Sequence, residues 1–205
     1  MDQSEPTLAT RRGRPPGTSP RDLEVIALRL FSQRGFDATT VEDIASAAGV
    51  SRRTFFRYFD SKAAVLWHQF DSEVQALRAA FSAVTQDLDM MTAIRHVVVS
   101  VNRYRAADVA ELRSRMNLIG SVPALQASAA PHYDAWERAV SEFAAGRTGL
   151  PADSLFPLAI GRSTLATCRA AFDTWLTKAD SDLTVYLDAG LRALGAGFRE
   201  LTPAL

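Results

Sequence analysis

The chain has one cysteine, three histidines and no apolar run near the roughly 20 residues that a bilayer-crossing helix takes. A lone Cys168 excludes an intramolecular disulfide and a cysteine-based zinc site. His68, His96 and His132 are scattered without metal-ligand spacing and receive no role. There is no Gly-rich phosphate loop and no nucleophile–base motif, and the acidic residues are dispersed over polar faces, which disfavours an enzyme. The N-terminus is polar and acidic, then arginine-bearing, without the apolar centre of a secretory leader. These absences predict a cytoplasmic protein that is not an enzyme, does not enter a membrane and carries no cofactor.

The 205 residues that remain to be explained are 47% hydrophobic and 22% charged, a globular composition long enough for one or two domains with a real core. Apolar residues recur at helical spacing along most of the chain, so an all-α fold is expected. The formal net charge is zero, but it is unevenly spread. Residues 1–62 hold ten Lys/Arg against eight Asp/Glu, and Arg11, Arg12, Arg14 and Arg21 lie together with only Asp22 nearby. A neutral total does not oppose nucleic-acid binding if the basic groups share one face.

The densest signal is TVEDIASAAGVSRRTFFRYFDSK, Thr40 to Lys62. Thr40 is an N-cap for a helix over Val41–Ala48. Glu42 and Asp43 suit its first turn, and Val41, Ile44, Ala45 and Ala48 share one apolar face. Gly49 supplies the left-handed residue of a sharp turn. Ser51 caps a second short helix presenting Arg52, Arg53, Thr54, Phe56 and Arg57. Helix, glycine turn and basic short helix make the helix-turn-helix arrangement, whose second helix enters the major groove. Two capped helices around a glycine also occur without DNA, with an arginine pair as a solvated corner.

Ahead of this motif, Ser19 caps a first helix with Pro20 at its first position, Leu23, Ile26, Ala27, Leu30 and Phe31 facing inward and Gly35 ending it. Phe55 and Phe59 are expected in the same small core. Residues 1–18 are polar, proline-containing and aperiodic. Within them Arg12-Gly13-Arg14-Pro15 resembles the core of the AT-hook, a minor-groove-binding peptide, and a basic arm is favoured over a solubilising tail.

The run from about Phe31 to Leu66, including Tyr58-Phe59 and Lys62, closely resembles the DNA-binding signature of the TetR family of bacterial repressors. The resemblance implies a three-helix head over residues 19–62 and a helical ligand-binding and dimerisation domain over 63–205. It implies that Arg52 and Arg53 reach base edges, and that Thr40, Ser51, Thr54, Tyr58 and Lys62 lie at the DNA, mostly on phosphates. Phe56 stands where many members have tyrosine, and Arg57 is expected to take over the lost phosphate contact.

Beyond Lys62 the spacing predicts long helices over 63–84, 91–105, 109–119, 124–145, 154–178 and 182–201, with a break from Gly120 through Pro123 and a bend or split at Pro131. By resemblance the last two helices form a homodimer. Apolar periodicity equally allows them to close the monomer's own core. Trp67, Phe70, Met116, Tyr133, Trp136, Cys168, Phe172 and Trp175 are candidates for the wall of an effector cavity, with core packing as the competing role of each. Cys168 reads as a small buried hydrophobe rather than a redox sensor. The head motif, RMNLIGSVPAL and the late tryptophan further resemble the actinobacterial branch of the family that includes the mycofactocin-system regulators. That narrower resemblance implies a long-chain acyl-CoA effector, with Arg103, Arg105, Arg113 or Arg115 at the CoA phosphates.

Overall fold

A computed structural model describes residues 18–178 and 182–197. Among them are ten α-helices and no strand: α1 (Pro20–Arg34), α2 (Val41–Ala47), α3 (Arg52–Phe56), α4 (Ala64–Ser82), α5 (Met90–Val101), α6 (Ala106–Ser121), α7 (Pro123–Ala127), α8 (Ala130–Thr148), α9 (Leu155–Leu176) and α10 (Leu183–Gly195). Arg11, Arg12 and Arg14, and with them the proposed arm, lie outside the described residues.

Local signals set the head. Ser19 and Asp22 close a reciprocal capping box on α1, and Thr40 and Asp43 do the same on α2. Ser51 accepts the Thr54 N–H at the start of α3. Gly49 takes φ 66° between α2 and α3, where a side chain would be strained. Leu23, Ala27, Leu30, Phe31, Ile44, Phe55 and Phe59 bury together between these helices. Two residues of α4, Val65 and Leu66, and Leu125 of α7 complete this core, each fully buried.

The body is a layered bundle. α8 packs along α9, α9 along α10, and α4 and α10 flank α5. Its core gathers Val74, Leu77, Ile94, Val98, Val140, Leu187 and Leu191, with Phe81 and Phe143 stacked at 4.4 Å. α9 passes so close to α8 that a Cβ on Gly161 would meet Ser141 Oγ at 2.3 Å and the Glu137 carbonyl at 2.7 Å.

Several stretches differ from the expected helices: the one expected over 91–105 ends at Val101. α6 runs through Gly120 to Ser121, and the break narrows to Val122, because Pro123 can occupy a first helical position and α7 begins at once. The 124–145 helix is split at Ser128 and Ala129, and Pro131 falls in the first turn of α8, where its missing N–H costs nothing. α8 then continues to Thr148 and ends on Gly149 in the left-handed conformation, so the loop expected from Gly146 is shorter.

Candidate nucleic-acid interface and ligand cavity

α3 buries Phe55 and presents its arginines and Phe56 outward. Arg52 and Arg53 are exposed at its first turn. Arg52 pairs with Glu42 of α2 at 3.1 Å and its guanidinium stands 5.3 Å from the Phe56 ring centroid, so Phe56 supports an arginine as well as remaining exposed itself. Ser51 and Thr54 hydroxyls are 3.0 Å apart. Arg57 donates to the Tyr58 hydroxyl at 2.8 Å and lies over its ring, which aligns a donor-rich pair just past α3. Thr40 spends its side chain on the α2 cap, donating to Asp43 at 2.6 Å while accepting the Asp43 N–H. That hydroxyl and the Thr40 N–H hold the Asp43 carboxyl below the usual carboxylate range. Lys62 turns inward: Nζ donates to the carbonyls of Phe36 at 2.6 Å and Thr39 at 2.8 Å. Two of its three donors therefore brace the segment between α1 and α2.

The body holds a cavity of about 640 Å³, open to solvent on the side of Asn117, Gln126 and Arg169 and within the size range of small-molecule sites. Six of the eight aromatic and sulfur-bearing candidates line it: Phe70, Met116, Tyr133, Trp136, Cys168 and Phe172. Burial pushes the Cys168 thiol up to about 12, which leaves it an inert thiol at neutral pH. The two remaining candidates are not in the wall. Trp67 is buried, donates Nε1–H to Ser128 at 2.9 Å and stacks on His132 at 4.5 Å. Trp175 is buried beneath Arg113, whose guanidinium lies 3.9 Å from the ring centroid.

The arginines of α6 and the segment before it divide in the same way. Arg113 donates to the carbonyls of Trp175 at 3.0 Å and Lys178 at 2.6 Å, closing the C-terminal end of α9. Arg105 pairs with Asp108 on the surface, and Arg103 is exposed. Only Arg115 among these four lines the cavity, and it is 3% exposed.

Arg115 belongs to a polar network invisible in the sequence. Its Nη2 donates to Glu24 of α1 and to Glu111, both at 2.8 Å, and its Nη1 donates to Gln69 of α4 at 2.6 Å. Gln69 passes a hydrogen bond to Glu73 at 3.0 Å, and the Tyr104 hydroxyl donates to the same Glu73 oxygen at 2.8 Å. Arg21 closes the outer side by pairing with Glu24 and Glu111. Burial raises the Glu73 carboxyl, and burial together with the Glu73 charge raises the Tyr104 phenol. Glu73 and Tyr104 line the cavity as well. A charged glutamate on α1 could only have been flagged by its place among inward-facing neighbours, Leu23 and Ala27.

Comparison with known proteins agrees with this architecture. Residues 26–67 match the bacterial regulatory proteins of the tetR family, and residues 88–199 match the MftR C-terminal domain. The chain belongs to the TetR family of bacterial transcriptional regulators, whose members are not enzymes. Within it, the chain is 31% identical over 192 residues to MftR of Mycobacterium tuberculosis, a protein bearing the name of a mycofactocin biosynthesis transcriptional regulator; the match covers 94% of this chain and 97% of that one. It is 32% identical to the regulator TcmR of Streptomyces glaucescens, covering 89% of this chain and 88% of the relative. The fold is shared with FadR of Thermus thermophilus, a repressor solved with lauroyl-CoA, at a TM-score of 0.59 and 24% identity, over 91% of this chain and 99% of that one. FadR of Bacillus halodurans superposes with a TM-score of 0.63 at 18% identity, over 92% of this chain and the whole of the other. Among the described residues no helix is long and apolar enough to cross a membrane, and no cluster of His, Cys, Asp and Glu has the makings of a metal site.

Proposed function

We propose that the protein is a cytoplasmic repressor that binds a palindromic operator as a homodimer and is released by a small, largely apolar effector carrying an acyl chain, an acyl-CoA in particular. The observation that carries this reading is the pairing of two features in one chain. A capped α3 exposes Arg52 and Arg53 beside Thr54, Arg57 and Tyr58, and a cavity whose wall joins aromatic and aliphatic side chains to a few charged ones, Glu73, Arg115, Arg169 and Asp173, lies in the body joined to that head by α4. Arg52 and Arg53 read base edges, where an arginine bonds guanine O6 and N7 together. Ser51, Thr54, Phe56, Arg57, Tyr58 and Lys62 shape and position the surface, and Arg11, Arg12 and Arg14 add an arm at the minor groove.

In this division residues 19–62 form the DNA-binding head and 63–205 the sensing and dimerising body. Leu155 and Phe156 on α9 and Val185 on α10 are exposed apolar side chains, the kind a partner helix pair covers, and this supports dimerisation through the last two helices. An effector that binds better to a form with different head spacing draws the dimer off DNA. The lauroyl-CoA bound by the Thermus FadR of the same fold supports the acyl class.

The reading is tested by selecting bound duplexes from a random library with the purified protein at moderate salt. An enriched palindrome is the expected outcome. Retention without any sequence enrichment, at lowered salt and with a folded protein, overturns the reading in favour of a helical ligand-binding protein that does not recognise DNA sequence.

A further inference from the structure

The cavity has one charged group shared with the head. Arg115 lines it, is 3% exposed, and holds the fully buried Glu24 of α1 at 2.8 Å across 91 positions of sequence. Its Nε is buried and has no hydrogen-bond partner among the described residues, an orphaned donor on an arginine common to cavity and head. A buried donor left unpaired costs about 1–3 kcal/mol, so a movement of the guanidinium that brings this donor to an acceptor in the cavity is favoured. Around it the charges are balanced: the guanidinium groups of Arg21 and Arg115 face the carboxylates of Glu24 and Glu111. A further full negative charge would be uncompensated there, with Glu73 already adjoining through Gln69. A carbonyl oxygen accepts hydrogen bonds without adding charge.

We propose that Arg115 is the specificity-determining contact for the polar end of the effector: it takes an uncharged carbonyl oxygen of an acyl ligand and thereby loosens its hold on Glu24, passing occupancy of the cavity to α1. The inference deepens the repressor reading and rests on it for the link to DNA. The route is short. Glu24 lies between Leu23 and the core residues Ala27 and Leu28 on the helix that backs the DNA-facing pair, and Gln69 connects the same guanidinium to α4. A change in Arg115 is therefore felt by two helices of the head core at once. Glu24 acts through Arg115 and is a positioning residue.

Two probes isolate the carbonyl: lauroyl-CoA, and S-dodecyl-CoA, the thioether with the same chain length and headgroup but no carbonyl. Binding is followed by quenching of tryptophan fluorescence, since Trp136 lines the cavity. Wild type is expected to bind lauroyl-CoA about tenfold more tightly than S-dodecyl-CoA. Arg115→Met abolishes that preference. Because this change leaves the buried Glu24 with Arg21 as its remaining ion-pair partner among the described residues, the double variant Glu24→Gln/Arg115→Met is measured beside it and is expected to lose the preference with its fold intact. Operator affinity is then measured with and without saturating lauroyl-CoA. Glu24→Gln is expected to bring the ratio of the two affinities severalfold closer to one, whereas a merely structural role lowers thermal stability and leaves the ratio alone. Equal affinity of wild type for the two probes, no binding of lauroyl-CoA, a preference surviving in the double variant, or an unchanged ratio in Glu24→Gln each overturns the proposal. If no palindrome is enriched, the repressor reading fails by itself, and the binding arm still decides whether Arg115 is the carbonyl contact.

Discussion

Lys62 Nζ sits 2.6 Å from the Phe36 carbonyl and 4.2 Å from the centroid of the Phe36 ring, so one residue just beyond α1 meets the ammonium with both its backbone and its side chain. The position was expected at the DNA phosphates. Two donors of this lysine are committed to the Phe36 and Thr39 carbonyls, which ties Lys62 to the segment leading into α2. Lys62→Met is therefore expected to weaken operator and random DNA together while the slope of log affinity against log salt stays as in wild type. A direct phosphate contact would instead reduce that slope by about one. Titrations at four or five salt concentrations separate the two.

Arg52 is held by one exposed carboxylate and one exposed ring, an arrangement that keeps it extended without burying it. Arg52→Ala should lose about 1–3 kcal/mol of discrimination between operator and random duplex, with little loss of affinity for the random sequence. Competition binding with both duplexes reads the difference directly.

The capping boxes make the head sensitive to acid. Asp22 and Asp43 have carboxyl groups lowered by hydrogen bonds from Ser19 and Thr40, respectively. A group whose folded value is depressed contributes stability that is fully present above its unfolded value, and that contribution is lost as pH falls through the folded value. The window thus lies below about pH 4, the ordinary carboxylate range. Melting temperatures of wild type and Thr40→Ala should differ at pH 7, and the gap should narrow as the pH is taken down to 3, leaving the part due to the hydroxyl's acceptance of the Asp43 N–H. A constant gap between the two curves would contradict the assignment.

The contact of α8 with α9 leaves no space at Gly161. Gly161→Ala places a methyl against the Glu137 backbone carbonyl and Ser141, and is expected to cost about 1–3 kcal/mol of stability. Urea unfolding measures it. The same change at Gly146, where a Cβ would meet nothing, should be neutral or slightly stabilising.

Cys168 is buried, and its thiol is pushed up to about 12 by desolvation. A thiol-specific disulfide reagent at pH 8 should label the native protein no faster than it unfolds, and label it fully in denaturant. Rapid labelling of the folded protein would show that the cavity wall opens.

The head was legible from its sequence because its determinants are local. Ser19, Thr40, Ser51 and Gly49 each act within three or four residues, and the structure puts α1, α2 and α3 where those signals end and begin. The body was legible as helices and less so as a site. Periodicity says which side of a helix is apolar but not whether a neighbour or a void lies beyond it. Trp67 and Trp136 have the same spacing signature; Ser128 and His132 meet the first, and the second faces the cavity. Arg113 and Arg115 are two residues apart on α6 and point in different directions, the first to the end of α9 in the body and the second to α1 in the head. Such long-range partners leave no local trace.

Leu125 has consequences for anyone recombining the parts of this protein. It comes from α7, far along the chain, yet it is fully buried among Leu23, Phe31 and Leu66 in the core beneath the DNA-facing helices. A cassette cut at residue 62 carries away neither this leucine nor Val65 and Leu66, and exposes the floor on which α1 rests. Hybrid sensors that graft this head onto another body will inherit a hole unless the α6–α7 corner travels with it, so the fit of the head will depend on a segment some sixty residues beyond its own end.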